Sequence, residues 1–215
     1  AEVPEQPAEA AATDDPKPAI AQIVPAEVLV RPGEKVNFNL RLYNASGQFL
    51  REEEYPAWTA DGAGGFLTQS GKYTAPSDAA HTAATITGAV GDISAVARVR
   101  IIPDLPWEFD FEGVALDEED RAGNPIGQPP VSWVGMRYRH VIREIDGNKV
   151  MVKVTTIPKG TRSQGWIGHP DLHDYTIQAD VKGAMTDDQL PEIGVTAQGY
   201  TLAIQGNNQL IQIRT

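Results

Sequence analysis

Apolar and polar residues alternate with period two along much of this chain, and the clearest run is HDYTIQADVKG, from His173 to Gly183. Tyr175, Ile177, Ala179 and Val181 share one face, and Thr176, Gln178, Asp180 and Lys182 share the other. This predicts a strand with one buried and one wet side. Val36, Phe38, Leu40 and Leu42 repeat the pattern, as do Tyr200, Leu202 and Ile204, and Trp107, Phe109 and Phe111 set against Glu108, Asp110 and Glu112. Turn formers punctuate these runs at Arg31-Pro32-Gly33-Glu34, Asn44-Ala45-Ser46-Gly47, Asp146-Gly147-Asn148 and Gly206-Asn207-Asn208. Short strands at regular spacing without a helical period predict an all-β chain built as antiparallel sandwiches.

Three regions follow from the changes in pattern. Residues 1–18 are Ala, Pro and acid with almost no large apolar side chain, so they cannot offset their ordering entropy by burial and read as a flexible acidic tether. Residues 19–103 carry the first set of strands. Pro103-Asp104-Leu105-Pro106 brackets two residues with prolines and reads as a stiff hinge, after which WEFDFEG opens a second sandwich over 104–215. The chain stops inside a strand-like run at Ile211 to Thr215. The expectation is therefore a missing C-terminal portion, a curtailed sandwich, or completion by another protein chain.

Composition narrows the function classes. A net charge of -11 argues against nucleic acid, whose phosphates need a basic face. No apolar run approaches the roughly eighteen residues of a membrane span. Cysteine is absent, which removes disulfides and thiolate metal sites. The start Ala-Glu-Val-Pro-Glu reads as a mature or recombinant fragment, giving an expected periplasmic or extracellular location.

Two family resemblances rest on particular residues. Pro32-Gly33-Glu34-Lys35-Val36, Trp58 before an Asp-Gly turn, Gly71-Lys72-Tyr73-Thr74-Ala75-Pro76 and the final alternating strand of residues 19–103 resemble bacterial immunoglobulin-like domains. That likeness implies spacing or adhesion, with Trp58 and Tyr73 in the core. WEFDFEG, DGNKVMVKV, the stretch from Ser163 to Gly168, DYTIQADVKG and IGVTAQGYTLAIQGNNQLIQIRT resemble the concanavalin A-like or laminin-G-like jelly roll. The order of the two also resembles the region beside pyrroloquinoline-quinone-type β-propeller repeats in exported bacterial proteins, although no propeller repeat occurs here.

Candidate chemistry is sparse. His169 and His173 lie four apart beside Asp171 and Asp174, but that spacing shares a face only on a helix, and Pro170 argues against one. Calcium suits the acidic loops better than zinc, with Asp117, Glu118, Glu119 and Asp120 in one and Asp187 and Asp188 in another, though neither has an Asp-x-Asp-x-Asp-Gly spacing; solvated loops explain them equally well. No other cofactor is expected. Glu108, Asp110 and Glu112 offer carboxylates without an identifiable partner across a cleft, and Gly-x-Ser-x-Gly is absent.

A sugar site would need an aromatic platform beside polar donors, and two groups qualify: Trp133 with Arg137 and Arg139, read as one strand face, and Trp166 with Gln164 and His169. Each could equally be structural. The reading is a non-enzymatic, exported binding or spacer module whose partner is carbohydrate or a cell-envelope component. The alternatives are a structural or protein-interaction part of a surface assembly, and a sugar-active enzyme.

Overall fold

The computed structural model describes residues 11, 14–137, 139–154, 163–185 and 188–215. Most of the expected tether lies outside these residues. The described residues form strands, turns and irregular segments without a helix, so the chain is all-β. It divides into two compact units, Ala1–His169 and Pro170–Thr215.

The first unit begins with ten strands: β1 (Ile20–Val24), β2 (Glu27–Val30), β3 (Lys35–Asn37), β4 (Asn39–Tyr43), β5 (Phe49–Glu53), β6 (Ala57–Gly62), β7 (Phe66–Leu67), β8 (Lys72–Thr74), β9 (Thr82–Val90) and β10 (Ile93–Ile101). They form sheets ordered β1-β4-β5, β2-β10-β9-β6 and β3-β8-β7, with β2 running parallel to β10. Ile23, Leu40 and Leu42 from one sheet meet Val30, Ala84, Ile86, Val99 and Ile101 from another, and Phe38 and Tyr73 are buried among them. Each such large side chain withdrawn from water contributes about 1.5–3 kcal/mol, which is why period-two runs close into facing layers. Trp58 packs at the margin of this core. Asn44 shapes the β4–β5 turn: its side-chain oxygen accepts the Ser46 N–H at 3.1 Å and the Gln48 N–H at 2.9 Å.

Beyond Pro103 the first unit is more irregular. The stretch Pro103-Asp104-Leu105-Pro106, read from the sequence as a hinge, lies inside this unit, and the Trp107 indole N–H donates back to the carbonyls of Pro103 (3.0 Å) and Asp104 (3.1 Å). WEFDFEG was expected as a strand but pairs with no ladder among the described residues. Its alternation survives nonetheless: Trp107, Phe109 and Phe111 are half-buried, while Glu108, Asp110 and Glu112 are exposed. The acidic stretch after it, expected as an open loop, closes a small hairpin of β11 (Glu118–Glu119) and β12 (Pro125–Ile126).

β13 (His140–Ile145) and β14 (Asn148–Lys153) form the hairpin expected at Asp146-Gly147-Asn148. Both central residues of its turn have positive φ, 54° at Asp146 and 80° at Gly147, the primed geometry that matches strand twist. Gly147→Ala is therefore expected to lower stability by about 1 kcal/mol, the cost of an L-residue in the left-handed region, read as a lower denaturant midpoint. An unchanged midpoint would mean that the turn relaxes.

In the second unit, β15 (Glu192–Ala197), β16 (Tyr200–Gln205) and β17 (Leu210–Arg214) form one antiparallel sheet in sequence order. The expected strand Tyr175–Val181 is corrected here: no strand pairing includes it among the described residues, and Ile177 and Val181 are exposed along with Thr176, Gln178, Asp180 and Lys182. Alternation yields a half-buried strand only where a neighbour supplies the ladder and a second layer covers the apolar side.

Candidate functional site

The polar and aromatic side chains of the first unit converge where residues 103–133 meet the outer face of β10 and the start of β9. Arg98 and Arg100 point away from the sandwich core, one exposed and the other 8 % exposed. The Arg100 guanidinium donates to the Val131 carbonyl, to the Trp133 carbonyl at 3.0 Å, and to the Glu27 carboxylate. One buried cation thus holds the 131–133 turn through two main-chain acceptors.

Beside it, His81 stands edge-on to Trp107 (ring centroids 5.0 Å apart) and Phe109 (4.9 Å), and Phe109 stands edge-on to Trp133 at 4.9 Å. Phe111 reaches Trp133 from 6.0 Å. The Nδ1 atom of His81 shares a hydrogen bond with the buried Ser132 hydroxyl at 3.1 Å. Burial pushes the His81 imidazole below the ordinary histidine range.

Each residue singled out from sequence has a definite place in this arrangement. Trp133 is 7 % exposed and packs against Phe109 and Phe111; it sits in a turn, not on a strand. The common strand face expected for Trp133, Arg137 and Arg139 is therefore not formed, because the ring is drawn inward while both arginines stay at the surface. His169 is 8 % exposed, with Nε2 placed 3.3 Å from the Ile102 carbonyl, so it binds the end of the first sandwich and not Trp166. Trp166 is 59 % exposed, and its backbone is fixed by a bridge to Val134 with both N–H···O distances at 2.9 Å. Of the two expected platforms, the Trp166 ring alone is presented to solvent.

The acidic loops are equally specific. Asp120 accepts the N–H groups of Ala122 (2.8 Å) and Asn124 (3.0 Å), the Asn124 side-chain amide, and Arg143 at 2.7 Å. The Asn124 backbone N–H first, and then its side chain, hold the Asp120 carboxyl below the usual carboxylate range. This carboxylate organises the β11–β12 turn, and its oxygens are occupied in doing so. Asp117 and Asp188 are exposed, Asp188 with φ of 56°, and Asp187 lies outside the described residues. Among the described residues no three His, Asp or Glu side chains group as metal ligands do. His173 pairs with its neighbour Asp174 at 2.7 Å. Glu112 accepts the Lys149 N–H at 2.8 Å, and Glu108 and Asp110 face solvent.

The second unit presents a different kind of surface. Register places Ile193, Ile204 and Ile211 in one cross-strand row and Val195, Leu202 and Ile213 in the next, with Ala197 and Tyr200 beyond them. All eight are uncharged and share one face, and Ile213 at its edge is 71 % exposed. The opposite face is tied by polar pairs: Thr196 with Thr201 at 3.1 Å, Gln205 with Gln212 at 3.0 Å, and Arg214 with Glu192. The last pair spans the central strand diagonally over Ala203, which is buried.

No family model matches the chain, and no curated protein matches it. Solved structures that it resembles include surface layer protein SbsC, domains 1–6, at 14% identity and a TM-score of 0.28, covering 74% of this chain and 27% of that one. The chain thus spans about a quarter of that structure's length. A TM-score this low does not establish a shared fold.

Among the described residues no helix is long and apolar enough to cross a membrane.

Proposed function

We propose that this chain is a non-catalytic, exported binding or spacer module that joins a larger envelope or surface assembly through protein contact, its second unit being completed by a partner chain. The observation that carries this reading is the uncharged face on which Leu202, Ile204, Ile211 and Ile213 are exposed beside the half-buried Ile193 and Val195, set on a sheet whose other face is tied by polar pairs. Soluble proteins seldom leave such a contiguous apolar face without a partner. The bacterial immunoglobulin-like and jelly-roll resemblances agree with spacing and recognition, and a periplasmic or extracellular location follows from the same reading.

Dye binding tests the face. A fluorescent probe of exposed apolar surface is expected to bind the wild type, and Leu202→Lys with Ile213→Lys should lower its binding several-fold without changing the strand signal in circular dichroism. Equal binding by both proteins would remove the docking reading.

Carbohydrate recognition stays as a second reading, favoured by the exposed Trp166 ring. A sugar face stacked on it would be worth about 1.4 kcal/mol, or roughly tenfold in affinity. Calorimetric titration with soluble polysaccharides is expected to show that loss in Trp166→Ala and no change in Arg137→Ala. Absence of binding by the wild type would dismiss the sugar reading and leave the protein-contact reading standing.

A further inference from the structure

We propose that His81 is a proton-operated clasp that holds residues 103–133 against the start of β9 while its imidazole is neutral and releases them when the ring takes up a proton. The geometry makes the ring a wedge. It immediately precedes β9, is bonded to Ser132 on one side, and meets the edges or faces of Trp107 and Phe109 on the other. Three separate stretches of chain therefore depend on one side chain.

The second nitrogen decides the response to acid. Nε2 is buried and has no hydrogen-bond partner among the described residues. A neutral ring tolerates this, because one nitrogen exchanges a hydrogen bond with Ser132 and the other is enclosed by aromatic carbon. An imidazolium must donate from both nitrogens, and the buried Nε2–H would find no acceptor while its charge loses water.

Among the described residues nothing charged on the surrounding elements stands ready to compensate. Glu108 and Asp110 alternate away from Trp107 and Phe109, Asp104 and Asp78 are exposed, and Val131, Ser132 and Trp133 carry no ionisable group. Arg100, bonded to the carbonyls on either side of Ser132, adds positive charge to the neighbourhood, and Glu27 is already engaged by it.

The sign follows from linkage. Burial lowers the His81 pKa in the closed state, so the opened state binds the proton more tightly. Stability of the clasp is complete above the open-state value near pH 6.5 and is lost as pH falls below it, by up to about tenfold in the open-to-closed ratio per pH unit until the closed-state pKa is reached. His140, in β13, is also held below its ordinary range, by burial first and by Lys153 and Arg139 next, with its Nε2 3.5 Å from the Ser163 hydroxyl. It titrates in the same direction, so an experiment must separate the two.

Tryptophan emission followed from about pH 8 to about pH 4.5, with histidine proton resonances alongside, does so in the full chain. The wild type is expected to shift to longer wavelength below about pH 6.5, as Trp107 and Trp133 gain water, while the far-ultraviolet strand signal holds. His81→Phe, which keeps an aromatic wedge that cannot protonate, should abolish the shift, and His140→Gln should keep it. Should His81→Phe fold poorly, His81→Gln serves in its place, since it too cannot titrate. A flat wild-type profile, or a shift that persists in the His81 variants, would overturn the clasp.

Discussion

Replacing Tyr73 with alanine is expected to lower the unfolding free energy of the strands between Ile20 and Ile101 by about 3–5 kcal/mol, the range for deleting a large aromatic from a filled core. Tyr73 is 0 % exposed and is the largest fully buried side chain. Its hydroxyl donates to the Gly64 carbonyl at 2.6 Å, and burial raises its phenol above the ordinary range, so it remains a neutral donor. Tyr73→Phe keeps the packing and loses that bond, at about 0.5–1.5 kcal/mol, because Gly64 is exposed and water replaces the lost donor. Against a total stability of about 5–15 kcal/mol the alanine change is severe and the phenylalanine change mild. Urea unfolding of both variants reads the difference. Equal, small shifts would mean that the ring is not part of the core.

Arg100→Ala should be the most damaging change outside that core, at about 3 kcal/mol. The cost comes mainly from the buried Trp133 carbonyl, left without its donor at about 1–2 kcal/mol, and from the lost packing of the buried Arg100 stem, with the part-buried Val131 carbonyl adding less. Glu27 adds little, because its carboxylate is 46% exposed and water replaces the lost partner. Glu27→Gln is accordingly expected to cost under about 1 kcal/mol, and Arg100→Lys to fall between, since one ammonium cannot reproduce the fork. In Arg100→Ala the Trp133 emission should also move to longer wavelength as the 131–133 turn loosens. If Glu27→Gln proved as costly as Arg100→Ala, the ion pair and not the carbonyl contacts would be holding the turn.

How far the fold could be read in advance differs from one segment to the next. Asp146-Gly147-Asn148 specifies its hairpin because a two-residue turn with positive φ needs those residue types, whatever surrounds it. Val36, Phe38, Leu40 and Leu42 likewise point to one core, and three of the four are fully buried. Trp107, Phe109 and Phe111 reveal which side turns inward but not what receives them. Trp133 misleads for the same reason: the pattern around it resembles a strand face, and only contact with Phe109 and Phe111 shows the ring to be interior. No local signal marks His81 or Ser132. Arg100 looks like Arg98, its twin two positions away, until the 131–133 turn is laid over one of them.

What the residues settle by themselves is what neighbours along the chain can settle: period, turn geometry, the all-β class, and the segregation of apolar from polar faces. Whether a face finds cover is a long-range matter. It is decided when a distant segment arrives, as the 131–133 turn does over Arg100, whereas Leu202 and Ile213 stay 46 % and 71 % exposed. Alternation costs the same to write whether or not a second layer exists, so the coverage of each face, and with it the half-buried His81 and the partly exposed sheet, belongs to the tertiary structure alone.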